Sequence, residues 1–452
     1  MKWIIIIFLI SVSLVQAQQQ KFDRATYYSY GIKLFSEAHT LPDNSSDSVQ
    51  IAVLYKVTYE TLLFTQSNTV DNPGRFQSIP LIEIFFRDQS GIIRNRTLLT
   101  DTVWADDYEQ TQRKDLYFTG FMTTKLYASD YSCTVQLLDR YKKPAEVNEF
   151  NIKSGLDFTK LHTIASPVLT YASDNMPDYK TVPFVLSNKI NFTSKDAKIL
   201  VPATFSNRYN VFNYSIVKNI SQEDKFWNQP INLTGRVVPS ADTYIKFEHD
   251  EEYGVISVIK SDFNFQVSND EQVNAGVMVI ELPSEQLSPG SYSLTIKPDG
   301  LSDSVSYNFE VVWVDMPLAL RNPQYALDLM YLILTDEEYE SMNTGDDLFK
   351  ATKIMEYWKA KDPSRSTPYN EAMTEFFKRV DYAFFNFQTL REKDGAKTER
   401  GKIYILYSKP DKIDKILEDG KQYEIWTYAK LGKTFYFELV TNGLYNLTKI
   451  IE

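Results

Sequence analysis

Between residues 49 and 59 every second position is apolar: Val49, Ile51, Val53, Tyr55, Val57 and Tyr59 alternate with mostly polar neighbours, Ala52 and Leu54 being the exceptions. A period of two marks a half-buried β-strand. Leu81-Ile82-Glu83-Ile84-Phe85-Phe86-Arg87 reads as another strand, closed by the turn-like Asp88-Gln89-Ser90-Gly91. Tyr131, Cys133, Val135 and Leu137 share one face of a further strand that ends near Asp139, before the polar Tyr141-Lys142-Lys143-Pro144. Short strands without long helical runs between them predict an antiparallel sandwich over roughly residues 23–155.

Residues 160–315 repeat the style. Val277, Val279 and Glu281 oppose Met278 and Ile280, and after the turn Ser288-Pro289-Gly290 the residues Tyr292, Leu294 and Ile296 fall on one face. A second turn, Pro298-Asp299-Gly300, leads into Val305, Tyr307, Phe309, Val311 and Trp313 in clean alternation. Two such facing strands read as the closing hairpin of an immunoglobulin-like sandwich.

Near Pro317 the period changes. Thr335-Asp336-Glu337-Glu338 is a capping box, and a longer helix is expected over Asp347 to Ala360. Thr367-Pro368 has the form of another helix start, with Thr as N-cap and Pro at the first helical position. Met373, Phe376, Phe377, Val380, Phe384 and Phe387 then follow helical spacing, so one face is core, and the helix should stop before Gly395. Strands are expected at Lys402 to Tyr407, Tyr423 to Tyr428, Thr434 to Leu439 and Leu444 to Ile450, with Asn442-Gly443 as the hairpin turn of the last pair. The expected fold class is mainly β with an α+β C-terminal domain: two immunoglobulin-like antiparallel β-sandwiches, 18–157 and 158–316, then helices followed by a small antiparallel sheet, 317–452.

Composition narrows the function. Aromatics make up 14% of the 452 residues, which favours sheet. A net charge of −11 without any long basic run argues against a nucleic-acid partner. Residues 1–17 read as a signal peptide: Lys2, an apolar run from Trp3 to Val15 too short to span a bilayer, and a small-residue cleavage site at Val15-Gln16-Ala17, leaving Gln18 as the mature start. No cysteine follows it, so lipid attachment there is not expected, and no later stretch is apolar enough for a transmembrane segment. The expectation is an exported protein, periplasmic or extracellular. The single cysteine, Cys133, can form no internal disulfide and reads as a buried, inert thiol.

Several stations of the third region resemble the GWxTD family of secreted bacterial proteins. They are Glu356-Tyr357-Trp358-Lys359-Ala360-Lys361-Asp362-Pro363; Asn370-Glu371 with Arg379-Val380 and Tyr382-Ala383; Gly395 to Pro410; and Tyr423-Glu424-Ile425-Trp426-Thr427-Tyr428. Against the family pattern, Ala396 stands in place of the Trp, Glu399 in place of the Asp, and Lys361 in place of the Arg before Asp-Pro. The resemblance points to Trp358, Asp362, Asn370, Arg379, Gly395, Thr398, Glu399, Arg400, Gly401, Pro410, Glu424 and Trp426 as motif positions, structural or binding. In one reading Glu399 and Arg400, joined by Asp362, Arg379 or Glu424, grip a ligand. In the other, Glu399 and Arg379 form a salt bridge that locks helix to sheet, and the glycines permit unusual backbone angles.

Catalytic sets are missing. His39, His162 and His249 are far apart, with no His-x-x-x-His, no cysteine cluster, no Gly-x-Ser-x-Gly elbow and no phosphate loop. No cofactor or metal is expected, and His249-Asp250-Glu251-Glu252 reads as a solvated acidic turn. Asn-x-Ser/Thr triplets at Asn44, Asn95, Asn191, Asn213, Asn219, Asn232 and Asn446 follow from an Asn-rich composition. The favoured expectation is a non-enzymatic binding or structural protein of the bacterial envelope or cell surface, with a protein or polysaccharide partner. The alternative is a hydrolase using Glu399 with Asp362 or Glu424 as acid and base, and Arg379 or Arg400 as an anion clamp.

Overall fold

The computed structural model describes residues 33–452 except 44, 46, 70–71, 114–115, 174, 193–195, 221–229, 262–272, 284–285, 315, 365–366 and 441–442. The signal-peptide segment and Asn442 of the expected hairpin turn lie outside the described residues. The chain divides into two compact units, one formed mainly by the β sheets up to Val312, the other mainly by Trp313–Glu452. The protein is mostly β, with antiparallel sheets and a C-terminal helical region followed by a small sheet.

The alternating strand extends over Ser48–Thr58 and lies between Leu34–Leu41 and Tyr117–Tyr127 in a three-stranded antiparallel sheet. Val49, Ile51, Val53 and Val57 pack with Ile82, Ile84, Cys133 and Val135 of a four-stranded sheet. Burial pushes the Cys133 thiol up to about 12, with Glu149 adding to the effect, so the sulfur stays protonated. The two residues that broke the alternation, Ala52 and Leu54, are fully buried on the opposite face. They pack there with Val168, Leu200, Phe247 and Val277 of a seven-stranded sheet. This strand is therefore covered on both sides.

The closing hairpin forms as expected: Gly290–Pro298 pairs antiparallel with Val305–Val312. Both belong to a five-stranded sheet that buries Tyr292, Leu294, Ile296, Phe309 and Val311 on one face. Its edge strand Lys189–Asn191 pairs in parallel with Val305–Val312.

In the C-terminal unit the capping box at Thr335 is present, with the Thr335 hydroxyl accepting from Glu338 N–H and Glu338 reaching back. The helix Asp347–Ala360 also forms. The next helix starts later than expected, at Glu371 rather than Thr367-Pro368. Asn370 is the cap: its Oδ1 accepts from Met373 N–H (2.8 Å) while its Nδ2 donates to the Trp358 carbonyl (2.7 Å). One amide thus ties the end of one helix to the start of the next, an option Thr367 lacks. A larger correction concerns Lys402 to Tyr407, which is helical, part of Glu399–Tyr407, and not a strand. The sheet that follows is four-stranded, Lys412–Glu418, Lys421–Tyr428, Lys433–Leu439 and Tyr445–Ile451, each antiparallel to the next.

Candidate functional site

The Glu399–Tyr407 helix starts where backbone meets backbone. Thr398 is its N-cap, and the buried Thr398 hydroxyl does two jobs. It donates to the Gly395 carbonyl (2.7 Å) and accepts from Gly401 N–H (3.1 Å). The glycines do not supply unusual backbone angles, as both lie outside the positive-φ set. They supply closeness. A Cβ on Gly401 would press into the Gly395 carbonyl and stand 3.0 Å from Ala396 Cα, and one on Gly395 would meet backbone of the Glu371–Asn386 helix and Gln388 N at 2.8 Å. Gly395, Thr398 and Gly401 are all used by this geometry. Ala396, in the Trp position, is fully buried. Glu399, in the Asp position, is the first helical residue, where either acid offsets the positive end of the helix.

The expected Glu399–Arg379 bridge does not form. Glu399 faces solvent and pairs with Lys402 one turn on (3.2 Å), and Arg379 pairs with Glu375 (2.8 Å) and donates to the Leu406 carbonyl (3.5 Å). The ion pair that joins helix to sheet is Arg400 with Glu424 at 3.3 Å, with side chains 15% and 7% exposed. Glu424 Oε1 also accepts from the Trp426 indole N–H at 2.8 Å. The Arg400 guanidinium lies 3.9 Å from the Tyr445 ring centre and 5.4 Å from that of Phe387. The charge thus meets a carboxylate and two aromatic rings.

Glu424, Trp426 and Tyr428 recur at every second residue of one strand, so all three point at the helices. Trp426 packs on Phe387, and the Tyr428 hydroxyl donates to the Ser408 carbonyl (2.8 Å) just past the helix end. Ser408 holds a φ of +66°, and buried Pro410 follows it. Trp358 is buried against Phe376 and Phe377. Asp362 Oδ1 accepts from Ser364 N–H (2.8 Å) as a turn residue.

Beside the motif lies a depression of about 220 Å³ lined by Arg391, Lys397, Thr398, Glu399, Tyr445 and their neighbours. Two acids line it: Glu399, paired with Lys402, and Glu392, whose Oε1 accepts from Asp394 N–H (2.9 Å). Among the described residues no group of three or more His, Cys, Asp or Glu is placed to hold a metal ion, and no helix is long and apolar enough to cross a membrane. His249 and Asp250 end the strand Thr243–Asp250, and in the turn that follows Asp250 Oδ1 accepts from Glu252 and Tyr253 N–H groups (3.0 and 3.2 Å), while His249 packs on Phe121.

Sequence reasoning missed two carboxylates that act locally. Asp394 Oδ1 accepts from the Tyr325 hydroxyl (3.0 Å) and Ala396 N–H (3.1 Å), capping the turn that carries Gly395, and burial raises its pKa. Asp381 accepts from Leu318 N–H (2.6 Å) and Ala319 N–H (3.1 Å), and burial raises its pKa to about 6 against the pull of those bonds and of Arg321. Only the short-range signal of an Asp directly before a turn could have shown the first; the second spans more than sixty residues. A carboxyl whose folded pKa exceeds its unfolded value makes the folded state the better proton binder between the two. Its contribution is therefore greatest below pH 4 and lost as pH rises towards 6, by up to about 3 kcal/mol. Wild type should lose stability relative to Asp381→Asn across that window in denaturant titrations at stepped pH; parallel curves would remove Asp381 as the cause.

The unit thus joins a short helix to a four-stranded antiparallel sheet through a Gly-Thr-Gly backbone contact and a part-buried Arg–Glu pair. The GWxTD domain model matches residues 293–447, so the C-terminal region of this chain carries a GWxTD domain. The match begins inside the Gly290–Pro298 strand, ahead of the helices. No curated relative matches the chain in sequence.

Among solved structures, a family 123 glycoside hydrolase from Clostridium perfringens aligns at 11% identity over 40% of this chain, with a TM-score of 0.15; the chain spans 34% of that enzyme's length. The C-terminal domain of the Streptococcus pyogenes antigen I/II-family protein AspA aligns at 8% identity over 62% of this chain and 99% of its own, with a TM-score of 0.15. A serine-rich repeat adhesion glycoprotein from Streptococcus agalactiae aligns at 8% identity over 62% of this chain and 97% of its own, with a TM-score of 0.13. Scores this low establish no shared architecture.

Proposed function

We propose that this is an exported, non-enzymatic binding or structural protein of the bacterial envelope, in which the GWxTD motif fastens a helix to a sheet. The observation that carries the reading is the state of the motif's charges. Arg400 and Glu424 are consumed by each other and by aromatic partners, and Glu399 is held by Lys402. A general acid–base pair needs two carboxyls free to reach one substrate, with pKa values set apart. Asp362 is engaged by a turn N–H, Glu424 by Arg400 and the Trp426 indole, and Glu399 by Lys402. The signal-like N-terminus of the sequence supports export.

The test is to incubate the chain from Gln18 with purified envelope polysaccharide and with envelope proteins, following both retention and product release. Retention without new reducing ends or peptide fragments is the expected outcome. Product that accumulates with wild type and vanishes with Glu399→Gln would establish the hydrolase instead.

A further inference from the structure

The five-stranded sheet turns one face to the core and the other to solvent, and the solvent face is unusual for this chain. Its central cross-strand row is Thr234, Ser215, Thr295 and Ser306, four hydroxyls side by side on adjacent strands. The next row is Asn232, Val217, Ser293 and Asn308. Charged residues are 24% of the sequence, yet these rows contain none. The outer face of the C-terminal sheet, by contrast, places Asp414, Glu438 and Lys449 in corresponding positions.

Charged rows lie at both ends: Arg236, Asn213 and Lys297 at one, and at the other Asn219, Ser291 and Glu310, where Glu310 pairs with Lys189 (2.8 Å). At the first end the pairing is incomplete. Asp299 accepts from Arg236 (2.9 Å) and from Asn213 (2.9 Å), fixing both side chains. Lys297 has no ion-pair partner among the described residues. Here the sheet surface dips into a depression of about 420 Å³, whose lining includes Ser215, Thr234, Thr295, Arg236 and Lys297. Thr295 is already bonded to Ser306 (3.0 Å), whereas the Ser215 and Thr234 hydroxyls have no hydrogen-bond partner among the described residues.

We propose that this face binds a linear polysaccharide that carries carboxylates, a polyuronate. The proposal deepens the binding reading given above and rests on it. Rows of hydroxyls and amides about 4.8 Å apart can exchange hydrogen bonds with sugar hydroxyls without burying any apolar surface. A sugar carboxylate would meet Lys297 and the outer edge of Arg236, which supplies the charge complementarity that neutral rows lack. On a protein of net charge −11, Lys297, without an ion-pair partner among the described residues and beside a neutral field, singles out this end for an anion, while Arg236 is shared with Asp299.

The experiment measures retention of the intact chain on immobilised polygalacturonate, with a neutral glucan and dextran sulfate as parallel arms, at physiological salt. Wild type should bind polygalacturonate in preference to both. Lys297→Gln combined with Arg236→Gln should weaken that binding at least about tenfold with unchanged melting temperature, since both side chains are exposed. Thr234→Val with Ser215→Ala should weaken it with both cations intact. Equal binding of dextran sulfate, unchanged binding by the charge variants, or no binding of polygalacturonate each overturns the site. Retention of some other envelope component would still leave the broader binding reading standing.

Discussion

Gly401→Ala should destabilise the C-terminal unit by about 3 kcal/mol or more, the upper range for a forced contact in a packed interior. The added methyl has nowhere to go, because the atoms it meets are the Gly395 carbonyl and Ala396 Cα, backbone rather than side-chain tips. Relief would require the turn to move away from the helix, which breaks the Thr398 hydroxyl's two bonds at once. Gly395→Ala should behave alike, since its Cβ runs into helix carbonyls. A control separates close approach from backbone angle: Gly420 has φ +73° with nothing within 4 Å of its Cβ. Its alanine variant should cost only about 1 kcal/mol. Denaturant unfolding followed by tryptophan fluorescence measures all three, and a Gly401→Ala cost no larger than the Gly420→Ala cost would show that the contact can relax.

Glu424→Gln should cost about 3–5 kcal/mol, because it strands the Arg400 charge beneath Tyr445 and beside Phe387. The Trp426 indole N–H keeps an acceptor in the amide oxygen, so the loss is chiefly one of charge. Removing both charges with Arg400→Met and Glu424→Gln together should recover much of the loss, as expected when the penalty is an uncompensated ion. Glu399→Gln should change stability by less than about 0.5 kcal/mol, its pair being exposed. If Glu399→Gln were the costly variant and Glu424→Gln the mild one, the fastening would belong to the wrong carboxylate.

The β portion was largely legible because its strands bury alternate residues, and alternation is written directly in sequence. The Glu399–Tyr407 helix was misread for an instructive reason. It packs against the Glu371–Asn386 helix and also against the Tyr445–Ile451 strand. Gly401 and Ile405 lie one turn apart on one side, and Ile403 faces nearly the opposite way, so burial falls on every second residue. A helix squeezed from two sides imitates the period of a strand. The capping chemistry of Thr398 and the acid at Glu399 were the contrary signals. Partner choice within the motif was beyond reach, since Arg400 meets Glu424 across more than twenty residues, and both Arg379 and Glu399 had plausible local alternatives. Ala52 and Leu54 carried more information than the regular positions around them, for they marked the second covered face.

That doubly covered strand also bears on how the β portion yields. Ser48–Thr58 has no solvent side from which to peel, and one face belongs to each of two cores. Cutting the chain near residue 160 would leave the seven-stranded sheet with an apolar surface laid bare, and the severed piece should precipitate rather than persist as a free module. Heat or force should take both halves of this body down in a single cooperative event.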